Sequence, residues 1–336
     1  MSHQSREIHL TERPVGTPTL DTFQLVETDV PEPGEGEILV KNHWMSVDPA
    51  MRGRMDDRPS YVAPFEVGAA LEGGAVGEVV ASNSDRHAVG DLVLHGLGWR
   101  DLAVLPGKRA APVDASAVPE QAFLGILGMP GLTAYAGLVR PGAIKEGDVV
   151  FVSAAAGAVG SAVGQMARLM GASKVIGSAG GPEKVRHVVE DLGFDACIDY
   201  KAGGVRKQVK ALAPDGIDLY FDNVGGEHLE VAIGLLRLHG RIVICGMISQ
   251  YNATEPPAGP RNLVRLIATR GSMQGLLVLD HADLREEFVT RVGGWLQNGE
   301  LKYQETVVDG LENSPQAFLD LLAGKNTGKM LVRIAG

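Results

Sequence analysis

Residues Phe151 to Gly164, FVSAAAGAVGSAVG, constrain the fold more than any other stretch of the 336-residue chain. The apolar run Val149 to Val152 reads as a buried strand. It leads through small residues and a glycine turn into a helix with Val163, Met166, Ala167 and Met170 at helical spacing. Gly157 and Gly160 let the backbone approach a pyrophosphate, whose charge the N–H groups and positive end of the helix stabilise. Gly164 lets the helix pack closely on the strand. The spacing is Gly-x-x-Gly-x-x-x-Gly rather than Gly-x-Gly-x-x-Gly, so a tight corner without a ligand stays open as the alternative.

The second strand, Lys174 to Ser178, sharpens the reading. Folds that select NAD carry an acidic residue here, roughly 20 residues past the glycines, to hold the ribose 2′-hydroxyl. This strand ends in Gly177 and Ser178, and Lys184 follows one turn into the next helix. A hydroxyl and a cation where a carboxylate would sit favour a 2′-phosphate, hence NADP.

Acidic residues outnumber basic ones 41 to 31, and the net charge of −10 argues against nucleic acid or an anionic membrane as partner. No apolar run follows a basic N-terminal segment, and no stretch is long enough to span a bilayer. The two cysteines, Cys197 and Cys245, supply neither a disulfide framework nor a zinc set, so the expected compartment is the cytoplasm.

The length favours two domains, and 45% hydrophobic content supplies a sizeable core. Residues 1–125 carry short apolar runs broken by glycine and proline, the pattern of a mostly β domain. From 126 to 300 strands alternate with helices, which predicts an α/β, doubly wound parallel sheet. The tail, 301–336, returns to β and loop character around the helix SPQAFLDLLAG.

This order resembles the medium-chain dehydrogenase/reductase superfamily, with a Rossmann domain inserted in a GroES-like domain. More narrowly it resembles the zinc-independent branch of prostaglandin reductases, alkenal double-bond reductases and curcumin-reductase-like proteins. The carriers are SVDPAMRGRM (46–55), GMPGLTAY (128–135), AAAGAVGSAVGQ (154–165), YFDNVGG (220–226), ICGMISQYN (244–252) and GKNTGKMLV (324–332). Zinc-dependent relatives carry Gly-His-Glu in the first domain, whereas this chain reads VGAALEGGAVGEVV, so no metal is expected.

The resemblance implies NADPH contacts at named positions. Gly157, Ala158, Val159 and Gly160 form the pyrophosphate turn. Ser178, Lys184 and Tyr200, the last closing the strand ACIDY, meet the 2′-phosphate. Asn223 faces the cofactor, although Asn-x-Gly-Gly is equally good turn chemistry. Cys245, Gly246, Ser249 and Tyr251 line the nicotinamide side, with Cys245 a small apolar filler. Leu276 and Val278 offer backbone contacts to the carboxamide, and Asn326 a polar contact from the tail.

The implied reaction is NADPH-dependent reduction of the carbon–carbon double bond of an apolar α,β-unsaturated ketone or aldehyde. It builds charge on the carbonyl oxygen, which a preorganised donor stabilises before the α-carbon is protonated. Among six tyrosines, Tyr251 is the first choice of donor and Tyr61, in PSYVAPF, the second. Many relatives carry tyrosine where this chain has Ala50, which places more weight on Tyr251. A quinone reductase and a non-catalytic, crystallin-like NADPH-binding protein stay open as alternatives. Relatives pair through the edge of the Rossmann sheet, so a homodimer through Thr269 to Val278 is expected.

Overall fold

Val149–Val152 is four consecutive fully or nearly buried apolar residues, a pattern that only a strand covered on both faces can use. In the computed structural model, which describes residues 3–334, it lies inside a six-stranded sheet. The strand order is Ala196–Asp199, Lys174–Ala179, Val149–Val152, Ile217–Asp222, Leu236–Ile244 and Ser272–Gly275. Every neighbouring pair is parallel. The order runs outward in both directions from Val149–Val152, which makes the sheet doubly wound. Its topological switch point lies between Val149–Val152 and Ile217–Asp222.

This sheet belongs to a unit of Ile126–Gln304 and Thr327–Lys329. The expected helix is Ala158–Leu169, with Val163, Met166 and Ala167 buried. Gly164 does pack closely, but its partner is not the strand: a Cβ there would lie inside the Phe194 ring. Phe151 stacks on Tyr220 at 5.1 Å between ring centres, tying two neighbouring strands.

The other unit holds the chain up to Gly125, Glu305–Asn326 and the stretch from Met330. The segment expected as one returning tail is therefore divided, Thr327–Lys329 lying in the unit of the parallel sheet. In this β-rich unit His3–Leu10 pairs antiparallel with Phe23–Val30, beside a seven-stranded sheet. Its core centres on Trp99, stacked on Phe23 at 6.3 Å and met edge-on by Phe318 at 6.3 Å. Arg52 is buried here, donating to the Gly16 and Pro14 carbonyls and to Asp56, so it anchors a loop.

Candidate functional site

The carboxyl ends of Val149–Val152 and Ile217–Asp222 flank the switch point, where open α/β sheets bind ligands. After the first strand, Ala154 adopts φ 49°, a left-handed conformation that costs a residue with a Cβ about 1–2 kcal/mol. Its carbonyl accepts the Gly157 N–H at 2.9 Å. A Cβ on Gly160 would overlap that carbonyl oxygen and lie 2.8 Å from its carbon, so only glycine closes the turn this tightly. Gly157 caps the Ala158–Leu169 helix without a side chain. The first intrahelical bond runs from the Ser161 N–H to the Gly157 carbonyl, 3.0 Å. Ala158, Val159 and Gly160 therefore carry the N–H groups of the helix end that precede the ladder.

Asp222 locks the other side of the switch point. Its buried Oδ1 accepts from the Tyr220 hydroxyl at 2.7 Å and from the Val224 and Gly225 N–H groups at 3.0 and 2.8 Å. Burial raises its pKa above the usual carboxylate value. Its backbone carbonyl accepts the Cys245 and Gly246 N–H groups at 2.9 and 3.0 Å, joining the ends of two strands. Asn223 straps the switch point, its backbone N–H donating to the Ser153 hydroxyl at 2.9 Å and its carboxamide to the Ser153 carbonyl at 2.8 Å. That turn bonding leaves the carboxamide oxygen as the Asn223 atom able to accept from a ligand.

The segment after Leu236–Ile244 folds back over this turn. Ser249 donates to the Val224 carbonyl through its hydroxyl at 2.6 Å. The Met247 N–H donates to the Tyr251 hydroxyl at 3.3 Å, and that oxygen lies 3.0 Å from where a Gly246 Cβ would stand. A phenol oxygen can both accept and donate, and here it accepts a backbone N–H. Burial, with a smaller push from Asp222, raises the Cys245 thiol to about 12, so it is a filler rather than a nucleophile. The Leu276 N–H is taken by the Ile244 carbonyl at 2.9 Å, and Val278 opens the turn Val278–Leu284. Asn326 is buried, and Tyr61 is 64% exposed; both belong to the β-rich unit.

At the far end of the sheet, Tyr200 does not close the strand. The Asp199 Oδ1 accepts the Lys201 N–H at 3.0 Å, ending the strand at Asp199 and starting a turn over Tyr200–Ala202. The same oxygen accepts the Gly181 N–H at 2.9 Å, which fixes the entry to the Pro182–Arg186 helix carrying Lys184. Ser178 faces inward: it is fully buried and shares a 2.8 Å hydrogen bond with the His228 Nε2, so its hydroxyl is committed inside the fold. His228 meets the Tyr200 ring edge-on at 5.7 Å and stacks on Phe151 at 6.4 Å. Burial alone lowers its pKa to about 4, so it is neutral at physiological pH. Sequence reading missed His228, because a lone histidine 50 residues from its partner gives no spacing signal.

The bare helix end, the glycine turn and the lysine that follows Lys174–Ala179 fit a dinucleotide with a phosphate on its adenosine ribose. No three His, Cys, Asp or Glu side chains gather as a metal-holding group among the described residues.

Comparison with known proteins agrees with this geometry. The family described as N-terminal domain of oxidoreductase matches residues 6–113, and that described as Zinc-binding dehydrogenase matches residues 158–292. NADPH-dependent curcumin reductase of Escherichia coli (strain K12) is 43% identical over 338 residues, covering 99% of this chain and 98% of its own. The NADP(+)-dependent 2-alkenal reductase of Nicotiana tabacum is 41% identical, covering 92% and 90%. The crystal structure of CurA from Vibrio vulnificus in complex with NADPH superposes with a TM-score of 0.94 at 44% identity, over 98% of this chain and 99% of that one.

Proposed function

The chain belongs to the medium-chain dehydrogenase/reductase superfamily, in its zinc-independent branch, and from that membership we propose that it reduces the carbon–carbon double bond of α,β-unsaturated ketones and aldehydes. It is an NADP-dependent oxidoreductase. Bound NADPH supplies hydride to the β-carbon of the conjugated carbonyl. The chain's own part is to hold, orient and stabilise. The N–H groups of Ala158, Val159 and Gly160 take the pyrophosphate. Asn223, Gly246, Ser249 and the Leu276 and Val278 backbone border the nicotinamide. Lys184 and Tyr200 take the 2′-phosphate, with Ser178 and His228 backing the Tyr200 ring.

One observation carries the reading of the reaction. The Tyr251 phenol stands at the carboxyl end of Leu236–Ile244, held by the Met247 N–H and pressed on Gly246. Its O–H donates to the substrate carbonyl oxygen or to a ribose hydroxyl that does so, and the bond strengthens as enolate charge develops. Removing an oxyanion donor typically costs on the order of 10²–10³ in rate, and less where a second donor remains. Tyr251→Phe is therefore expected to lower kcat for an enone about tenfold, with NADPH affinity little changed. Turnover of a quinone, which needs no proton on carbon, should fall less. Intact enone turnover in Tyr251→Phe, with loss in Tyr61→Phe, would transfer the role to Tyr61.

The chain is also read as a homodimer. Ser272–Gly275 is an edge strand whose four residues are all exposed. Val264, Ile267 and Leu279 of the same unit are 69%, 77% and 63% exposed. An unpaired strand edge with large apolar side chains nearby invites pairing, and a two-fold contact satisfies both. Light scattering at micromolar concentration should give twice the chain mass; a monomer mass would refute the assignment.

A further inference from the structure

We propose that Lys201 is a second cation for the 2′-phosphate, which makes it a residue that selects NADPH over NADH. The inference rests on the reading of this end of the sheet as the adenosine 2′-phosphate site. Nothing in the spacing of the sequence singles Lys201 out; its place comes from how two segments are pinned.

One carboxylate oxygen, Asp199 Oδ1, accepts both the Gly181 and the Lys201 N–H groups. It brings the loop before the Lys184 helix and the turn carrying Tyr200 and Lys201 to one point. Gly180 lies at the meeting place. A Cβ there would come within 2.9 Å of the Tyr200 hydroxyl and 3.0 Å of the Lys201 Cε, so both side chains fold over this glycine. The lysine stem passes beside Gly180 and the phenol while the residue as a whole stays exposed.

The electrostatics agree. The Lys184 ammonium is pulled below the usual lysine value by burial first and by repulsion from Lys201 second. Two mutually repelling ammonium groups and a phenol thus lie on segments pinned to the same carboxylate. Asp199 is engaged by backbone N–H groups through one oxygen. A phosphate monoester carries about −1.5 to −2 charge and three acceptor oxygens at neutral pH, enough to neutralise both lysines and accept from Tyr200. A ribose hydroxyl gives that repulsion no relief. The arrangement is therefore a selector as well as a binder.

The test is equilibrium titration of the full-length protein with adenosine 2′,5′-bisphosphate and with adenosine 5′-monophosphate, alongside NADPH and NADH by fluorescence. Lys201→Met, which keeps the stem and removes the charge, should weaken the bisphosphate and NADPH about five- to tenfold. The monophosphate and NADH should change by less than about twofold. Lys201→Arg should restore most of the loss, and Lys184→Ala with Lys201→Met should abolish the preference for a 2′-phosphate. If Lys184→Ala is selective while Lys201→Met leaves every ratio unchanged, the role of Lys201 is overturned and the site stands. If neither variant is selective, the 2′-phosphate site itself lies elsewhere.

Discussion

Lys184→Ala is expected to raise the dissociation constant for NADPH by about 10- to 100-fold and that for NADH by less than about twofold. Hydrogen bonds to charged groups contribute about 1.5–3 kcal/mol, and each 1.4 kcal/mol is a factor of ten. The loss falls on NADPH because only that cofactor carries the extra phosphate. Lys184 is half-buried on a short helix whose entry is fixed by the Asp199–Gly181 bond, so its ammonium is positioned before ligand arrives. Fluorescence titration of both cofactors provides the check. Equal weakening of both would mean that the lysine steadies the fold and does not read the phosphate.

Acidification from pH 7 to 4.5 is expected to destabilise the protein by several kcal/mol, most of it above the range in which ordinary carboxylates titrate. Two buried histidines drive it. His95 accepts the Leu97 N–H on Nδ1 at 3.1 Å and donates from Nε2 to the Asn42 Oδ1 at 2.9 Å, so a second proton has no place. Burial, helped by Arg100, lowers its pKa to about 4, and burial does the same for His228. An unfolded histidine titrates near 6.5, so the unfolded chain takes up protons first as pH falls. The stabilising contribution is complete above about 6.5, declines between 6.5 and 4, and is gone below. At about 1.36 kcal/mol per unit, each histidine accounts for about 3 kcal/mol over the whole window.

Two groups work in the opposite sense. Glu120 raises the His43 pKa by hydrogen bonding, so the His43 contribution is full below about 6.5 and fades as pH rises through its folded value. Burial raises that of Asp222, which favours the fold in its protonated form at low pH. Urea midpoints at pH 7 and pH 4.5 measure the balance. His228→Leu should remove about half of the difference, leaving the His95 share, and equal midpoints in the unsubstituted protein would contradict it.

Backbone periodicity was legible in the sequence wherever one element alone decides it. The run Val149 to Val152, the glycine turn and the helix face of Val163, Met166 and Ala167 follow from local spacing, and so does the parallel order of the sheet. What was not legible depends on partners far along the chain. Alternation along Lys174–Ala179 does not say that Ser178 meets His228, because the partner arrives from another helix. Gly164 signalled close packing, but not that the neighbour is Phe194. Tyr200 read as the end of a strand because its apolar character hides the bond from the Lys201 N–H to Asp199. Lys201 had no signal at all, since an exposed lysine in a turn is the ordinary case.

The central claim is conjugate hydride addition, and the position of the transferred hydrogen tests it most directly. A single turnover with NADPH deuterated at the transferable position and a simple enone, followed by NMR of the product, locates it. Deuterium on the β-carbon of a saturated ketone, with the carbonyl intact, is the predicted result. Deuterium on the former carbonyl carbon of an allylic alcohol, or NADPH oxidation that proceeds with quinones and not with enones, would contradict the account.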